Sequence, residues 1–258
     1  MSSKASYKYI VVAVIALAAI ALAFLNDPIP QDLHYHCFAD GRTLYGIPNF
    51  WNVASNLPFL VIGLSGVVFL MRERKHAGLD ASSLMFFVGI VLTGLGSVWY
   101  HLHPDNHTLI WDRLPMTIAF MAFFSVILRE CVHEDTGKKM LWPLLFLGVL
   151  SVYYWQMTES RGHGDLRFYF LVQFLPMLLI PLILLLFRKK GFPKRYFWLV
   201  LLAYVFAKVL ELNDVEIFHA TGISGHTIKH VMAAIAPLIF LAGLWKFLRK
   251  QERQNVAD

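Results

Sequence analysis

Charge is scarce in this chain. Only 16% of its 258 residues are Asp, Glu, Lys or Arg, against roughly 25% in ordinary soluble domains. Hydrophobic residues make up 57% and aromatic residues 15%, a composition that calls for lipid rather than water as the surrounding solvent. There is no internal repeat and no low-complexity tract, and the longest connection between apolar runs, residues 26–50, is too short to bury a core of its own. A soluble domain is thereby excluded. Cysteine is nearly absent, and neither Cys37 nor Cys131 has the neighbours of a metal or redox motif.

What is present is a series of apolar runs long enough to span a bilayer. Eight are found, at about 8–25, 51–71, 83–103, 108–128, 140–157, 167–187, 195–217 and 226–248. The fold class expected is an all-α, polytopic transmembrane helix bundle. Seventeen of the 23 Lys and Arg residues fall in the connections and termini on one side, and three (Arg42, Arg161 and Arg167) on the other. The positive-inside rule makes the first side, with both termini, cytoplasmic. This bias also accounts for the net charge of +6, so the charge is no sign of nucleic-acid binding. The first run has two readings. Lys4 and Lys8, an apolar stretch and "ALA" at 21–23 suit a cleaved signal peptide as well as a retained helix; the retained helix is preferred, and either choice orients the other seven runs identically. By this topology the two cysteines lie on opposite faces and cannot pair.

Nine of the eleven histidines lie on the cation-poor side or in the helix ends that face it. His34, His36, His107 and His163 sit in loops, where an interfacial position explains them. His101, His226 and His230 are different. The last run begins "SGHTIKHVM", with Ser224 as a helix N-cap and His226 and His230 one turn apart on one face. That is the spacing with which a helix offers two imidazoles to one metal, and ionisable groups inside a membrane are costly enough to be functional by default. The stretch "SVWYHLHPDNHTLIWDR" at 97–113 supplies more: Ser97 and His101 are also four apart, and Asp112 comes about one and a half turns into the following run. His103 points to another face.

These residue types suit metal-assisted hydrolysis. Three neutral imidazoles and an open fourth position are a catalytic zinc set, and they leave the ion the full charge with which it acidifies water. A carboxylate at Asp112 can take that water's proton and hand it to a leaving group. A hydroxyl at Ser97 can donate to an oxyanion. The plainer alternatives are that Asp112 pairs with Arg113 or Lys229, and that Ser97 bonds its own helix backbone.

Ser97-xxx-His101, Asp112 and the distal His226-xxx-His230, together with "FWNVASNLPF" at 50–59, resemble the alkaline ceramidase family, part of a seven-helix superfamily that includes the adiponectin and progestin receptors. The resemblance runs from about residue 49 to the end of the last run. It implies a seven-helix ceramidase-like domain over 30–258, preceded by the N-terminal segment 1–29. It also implies an intramembrane Zn2+ on His101, His226 and His230, catalysis assisted by Asp112 and Ser97, and hydrolysis of the amide bond of a ceramide-like lipid. The calcium-binding carboxylates of the eukaryotic members are missing: Asn49 stands where they have a glutamate, and Asp40 is the only acid in "HYHCFADGRTLYGIPN", which speaks against calcium.

Lys208, Glu211 and Asp214, at i, i+3 and i+6 in the seventh run, read as a buried ion-pair network joined by Lys229. A proton path, or support for a ligating histidine, is the functional alternative. The partner expected is a lipid with an acyl chain in the outer leaflet and its scissile bond near the headgroup. The rival class is a non-catalytic membrane receptor or lipid-binding protein that keeps the zinc site; a haem carrier would need histidine spacings the sequence does not have.

Overall fold

The computed structural model describes residues 3–77, 80–187 and 191–257. Long apolar runs in lipid must satisfy every backbone polar group internally, and helices do so. The described residues accordingly form ten α-helices: α1 (Ser3–Leu25), α2 (Phe50–Ala54), α3 (Leu57–Ala77), α4 (Ala81–Leu102), α5 (Asn106–Ile127), α6 (Glu134–Glu159), α7 (Arg167–Leu186), α8 (Lys194–Leu212), α9 (Asp214–Thr221) and α10 (Gly225–Ala257). Seven spans are long and apolar enough to cross a membrane, and α8 with α9 makes an eighth when that bent pair is taken as one crossing. The chain is a multi-pass integral membrane protein with the all-helical architecture expected.

The helix boundaries differ from the runs where a local residue interrupts or extends them. Pro58 has no N–H to give the Ala54 carbonyl, so the second run breaks into α2 and α3 at residues 55 and 56. The fourth continues past Ile127 as a turn of π-helix, Leu128–Val132. The last runs on to Ala257. The largest departure is in the seventh run. It does not continue as one helix through 217: α8 stops at Leu212, and α9 leaves Asn213 at 79° to it. Asp214 therefore does not share a face with Lys208 and Glu211.

The described residues within 1–32, 81–86 and 117–191 form one compact unit, and those within 33–80, 87–116 and 192–258 form a second. In the first, α1 and α6 pack on α7, with Tyr9 set edge-on to Phe187 at 5.2 Å between ring centroids. In the second, α10 packs along α8 and α3, around Phe87 stacked on Phe240 at 5.8 Å. The second unit also holds all the candidate site residues.

Two close approaches in that unit set up the site. Pro115 lies inside α5 and cannot donate to the carbonyl of Trp111, four residues earlier. That carbonyl lies against Gly96 of α4, where a Cβ would collide with it. Glycine thus lets α4 and α5 meet at Ser97 and Asp112, each one position further along. Similarly, a Cβ at Gly225 would run into the Leu210 carbonyl and Asp214 Cα, so glycine lets α10 start directly against the α8–α9 bend.

Candidate metal centre

His101 is the penultimate residue of α4, and Pro104 follows shortly after that helix ends. Asp105 then caps α5, accepting the Thr108 N–H at 2.6 Å, and this bond, joined by one from the His107 N–H, holds its carboxyl below the usual range. His226 and His230 occupy successive turns at the start of α10, whose N-cap is Ser224: its Oγ accepts the Thr227 N–H at 2.9 Å.

The three imidazoles meet. Their ring centroids form a triangle with sides of 5.0, 4.9 and 4.9 Å, and His101 Nε2 lies 3.3 Å from His230 Nε2 and 3.4 Å from His226 Nε2. All three residues are buried, at 1%, 5% and 5% exposure. Nitrogens placed tetrahedrally about a zinc ion at about 2.0–2.1 Å would be about 3.3–3.4 Å apart. The donor set therefore fits a metal ion: among the described residues, His101, His226 and His230 are the cluster so arranged.

Ser97 lies one turn before His101, and its side chain faces the Asp112 carboxylate; both are buried, at 3% and 8% exposure. Lys229, weighed from the sequence as a partner of Asp112, bonds Glu211 Oε1 at 2.5 Å, and Lys208 bonds the other oxygen of the same carboxylate. The ion-pair network of the seventh run is thus Glu211 between two lysines, without Asp214. His103 lies outside the cluster, edge-on to Trp99 at 5.7 Å.

Asp214, read from the sequence as an ion-pair member or as support for a ligating histidine, lies beyond the bend and accepts the His226 N–H at 2.8 Å on Oδ1 and the Ala39 N–H at 3.0 Å on Oδ2, tying the start of the ligand helix to segment 33–49. The part played by the other residues around the site was missed in the sequence. Segment 33–49 crosses the cluster as a strap. Phe38 packs on His101 and His226 at 4.7 and 4.6 Å. His36 bridges the Tyr100 hydroxyl at 2.9 Å and Asn106 Oδ1 at 2.8 Å. Asn49 donates to the His101 carbonyl at 2.9 Å. The strap closes on itself where Tyr45 and Gly46, both at positive φ, form the two-residue turn between Leu44 and Ile47. The Asp40 carboxylate is held by the Arg42 guanidinium at 2.6 Å, which keeps it below the usual carboxylate range. Arg42 also donates to the Gly222 carbonyl at 2.8 Å. Finally, Ser55 Oγ lies 2.8 Å from His230 Nδ1. The one signal for these residues was the run of polar side chains Asn52, Ser55 and Asn56 at the head of an apolar segment.

The fold and site define a class: a multi-pass helical membrane protein with three buried imidazoles converging beside a serine–aspartate pair. The chain belongs to the ceramidase family, whose model, described as Ceramidase, matches residues 36–257. The match takes in the strap from His36 onward and every residue of the site, and α1 lies outside it.

Proposed function

We propose that this protein is a zinc-dependent lipid amidase that hydrolyses the amide bond of a ceramide-like, N-acylated lipid. The observation that carries the reading is the convergence of three buried imidazoles, with His101 Nε2 3.3 and 3.4 Å from the Nε2 atoms of His230 and His226, next to the Ser97–Asp112 pair, within a chain of the ceramidase family. His101, His226 and His230 are the ligands. Bound zinc supplies Lewis acidity, lowering the pKa of water and polarising a carbonyl.

The remaining chemistry belongs to the chain. Asp112 takes a proton from the attacking water and returns it to the amide nitrogen as the C–N bond breaks, giving a fatty acid and an amine. Ser97 holds the Asp112 carboxylate in place in the resting site. Once Asp112 is protonated it no longer needs that donor, and the Ser97 hydroxyl turns to the carbonyl oxygen as negative charge develops there. Phe38 and the strap shield the reacting groups from bulk water, which strengthens every polar interaction among them.

The depth of the site supports a lipid substrate. Trp51, Trp99 and Trp111 are exposed at 40%, 50% and 53% and neighbour Asn52, His101 and Asp112 in sequence. Exposed tryptophans favour the headgroup level of a bilayer, where the amide of an N-acylated lipid lies with its chains in the hydrocarbon.

The test is zinc content and lipid amidase rate measured on the same preparation. About one zinc per chain is expected, with turnover of ceramide, and replacing any of the three histidines by alanine should remove most of the metal and the activity. A triple alanine variant that kept stoichiometric zinc would overturn the ligand set. Zinc binding without turnover of any N-acylated lipid would make the protein a receptor that keeps the centre.

A further inference from the structure

We infer that Ser55 is a positioning residue for the metal centre: it fixes the tautomer of His230 so that the Nε2 lone pair faces the other two imidazoles. The inference rests on the zinc reading above and adds to it a residue that touches neither metal nor substrate.

The argument is an accounting of hydrogens around one carbonyl. Because α2 breaks before Pro58, the amide of Asn56 donates to Val53 rather than to Asn52, and the Asn52 carbonyl is left for side chains. Ser55 Oγ donates to it at 3.1 Å and Asn56 Nδ2 at 2.7 Å. A serine hydroxyl has one hydrogen. With that hydrogen directed at Asn52, Ser55 Oγ meets His230 Nδ1, 2.8 Å away, as an acceptor, so Nδ1 carries the ring hydrogen. A neutral imidazole protonated on Nδ1 has its lone pair on Nε2, the atom 3.3 Å from His101 Nε2.

Burial makes the arrangement binding. Ser55 is 8% exposed and His230 5%, so without the serine the Nδ1–H loses its near acceptor, and the opposite tautomer, with a hydrogen on Nε2 and no lone pair for the metal, becomes competitive. Groups that hold a ligating histidine through its second nitrogen typically change metal affinity by about 10- to 100-fold.

The experiment measures the zinc Kd of the full chain in detergent, after removal of metal, by competition with a chromophoric chelator, for the wild type, Ser55→Ala, His230→Ala and the double variant. Ser55→Ala should weaken zinc binding by about 10- to 100-fold. In the His230→Ala background the same change should cost less than about twofold, because a residue that acts only through His230 has nothing left to position. Ser55→Cys, similar in volume but a poor acceptor, should fall between wild type and alanine; it carries the same comparison where Ser55→Ala does not fold. Unchanged affinity in Ser55→Ala, or a full additional loss in the double variant, overturns the inference and leaves the zinc reading standing. A wild-type chain with no measurable zinc affinity overturns both.

Discussion

Asp112 is where ligand roles and chemistry come apart. It touches Ser97 and belongs to none of the three imidazoles, so Asp112→Asn should keep the zinc and, being nearly isosteric, the fold. The amidase rate should nevertheless fall by about 10²-fold or more, the usual worth of a positioned acid or base. Ser97→Ala should also keep the metal and lose about 10- to 10²-fold, since one oxyanion donor is only part of that stabilisation. Zinc content and ceramide turnover on the same samples check both. An Asp112→Asn enzyme turning over at the parent rate would make Asp112 structural and favour a receptor.

At the scale of elements, the site depends on how closely two helices approach. Gly96 faces the Trp111 carbonyl, which is backbone and cannot swing aside. Gly96→Ala should push α4 from α5, cost about 1–3 kcal/mol as overpacking does, and separate Ser97 from Asp112. A lowered melting temperature and a loss of lipid amidase activity are expected. Gly94, two residues earlier on α4, is the control: an added Cβ there meets Leu60 Cδ2 at 2.8 Å, the end of a side chain that can shift rotamer, and Phe59 Cβ at 3.1 Å, a tight contact that needs a shift of only a few tenths of an ångström. Gly94→Ala should therefore cost less and spare the rate; equal losses at the two positions would remove the backbone clash as the cause. The α8–α9 bend acts in the same way, since only a helix that turns at Asn213 brings the Asp214 carboxylate to the start of α10.

For the whole molecule the open question is which side of the membrane the site faces. From the division of cations, seventeen against three, we propose by the positive-inside rule that the three-histidine site lies at the non-cytoplasmic surface and both termini in the cytoplasm. The chain carries its own probe. Cys37, in the strap over the site, is exposed, and Cys131 is buried. A membrane-impermeant maleimide added to intact cells should modify the wild-type protein at Cys37. It should not modify a Cys37→Ser, Thr136→Cys variant, whose only exposed thiol lies in the first turn of α6 on the cation-rich side. The reverse pattern would place the site in the cytoplasm and undo the outer-leaflet assignment of the substrate.

The membrane class, the apolar runs and the depth shared by His101, Asp112, His226 and His230, with Ser97 one turn deeper, are all properties of the sequence by itself. Each depends on local quantities: transfer free energy summed over about 20 residues, and a helical period that puts i and i+4 on one face. The same periodicity misplaced Asp214, because a periodic reading assumes an unbroken helix and the 79° turn at Asn213 lies in a stretch whose hydropathy continues across it. The contacts of Ser55 and Phe38 were not legible for another reason. Ser55 meets His230 across 175 positions of chain, and no local pattern encodes which buried hydroxyl will face which ring. The tertiary structure decided those pairings, since a buried polar atom must find its partner wherever packing leaves one.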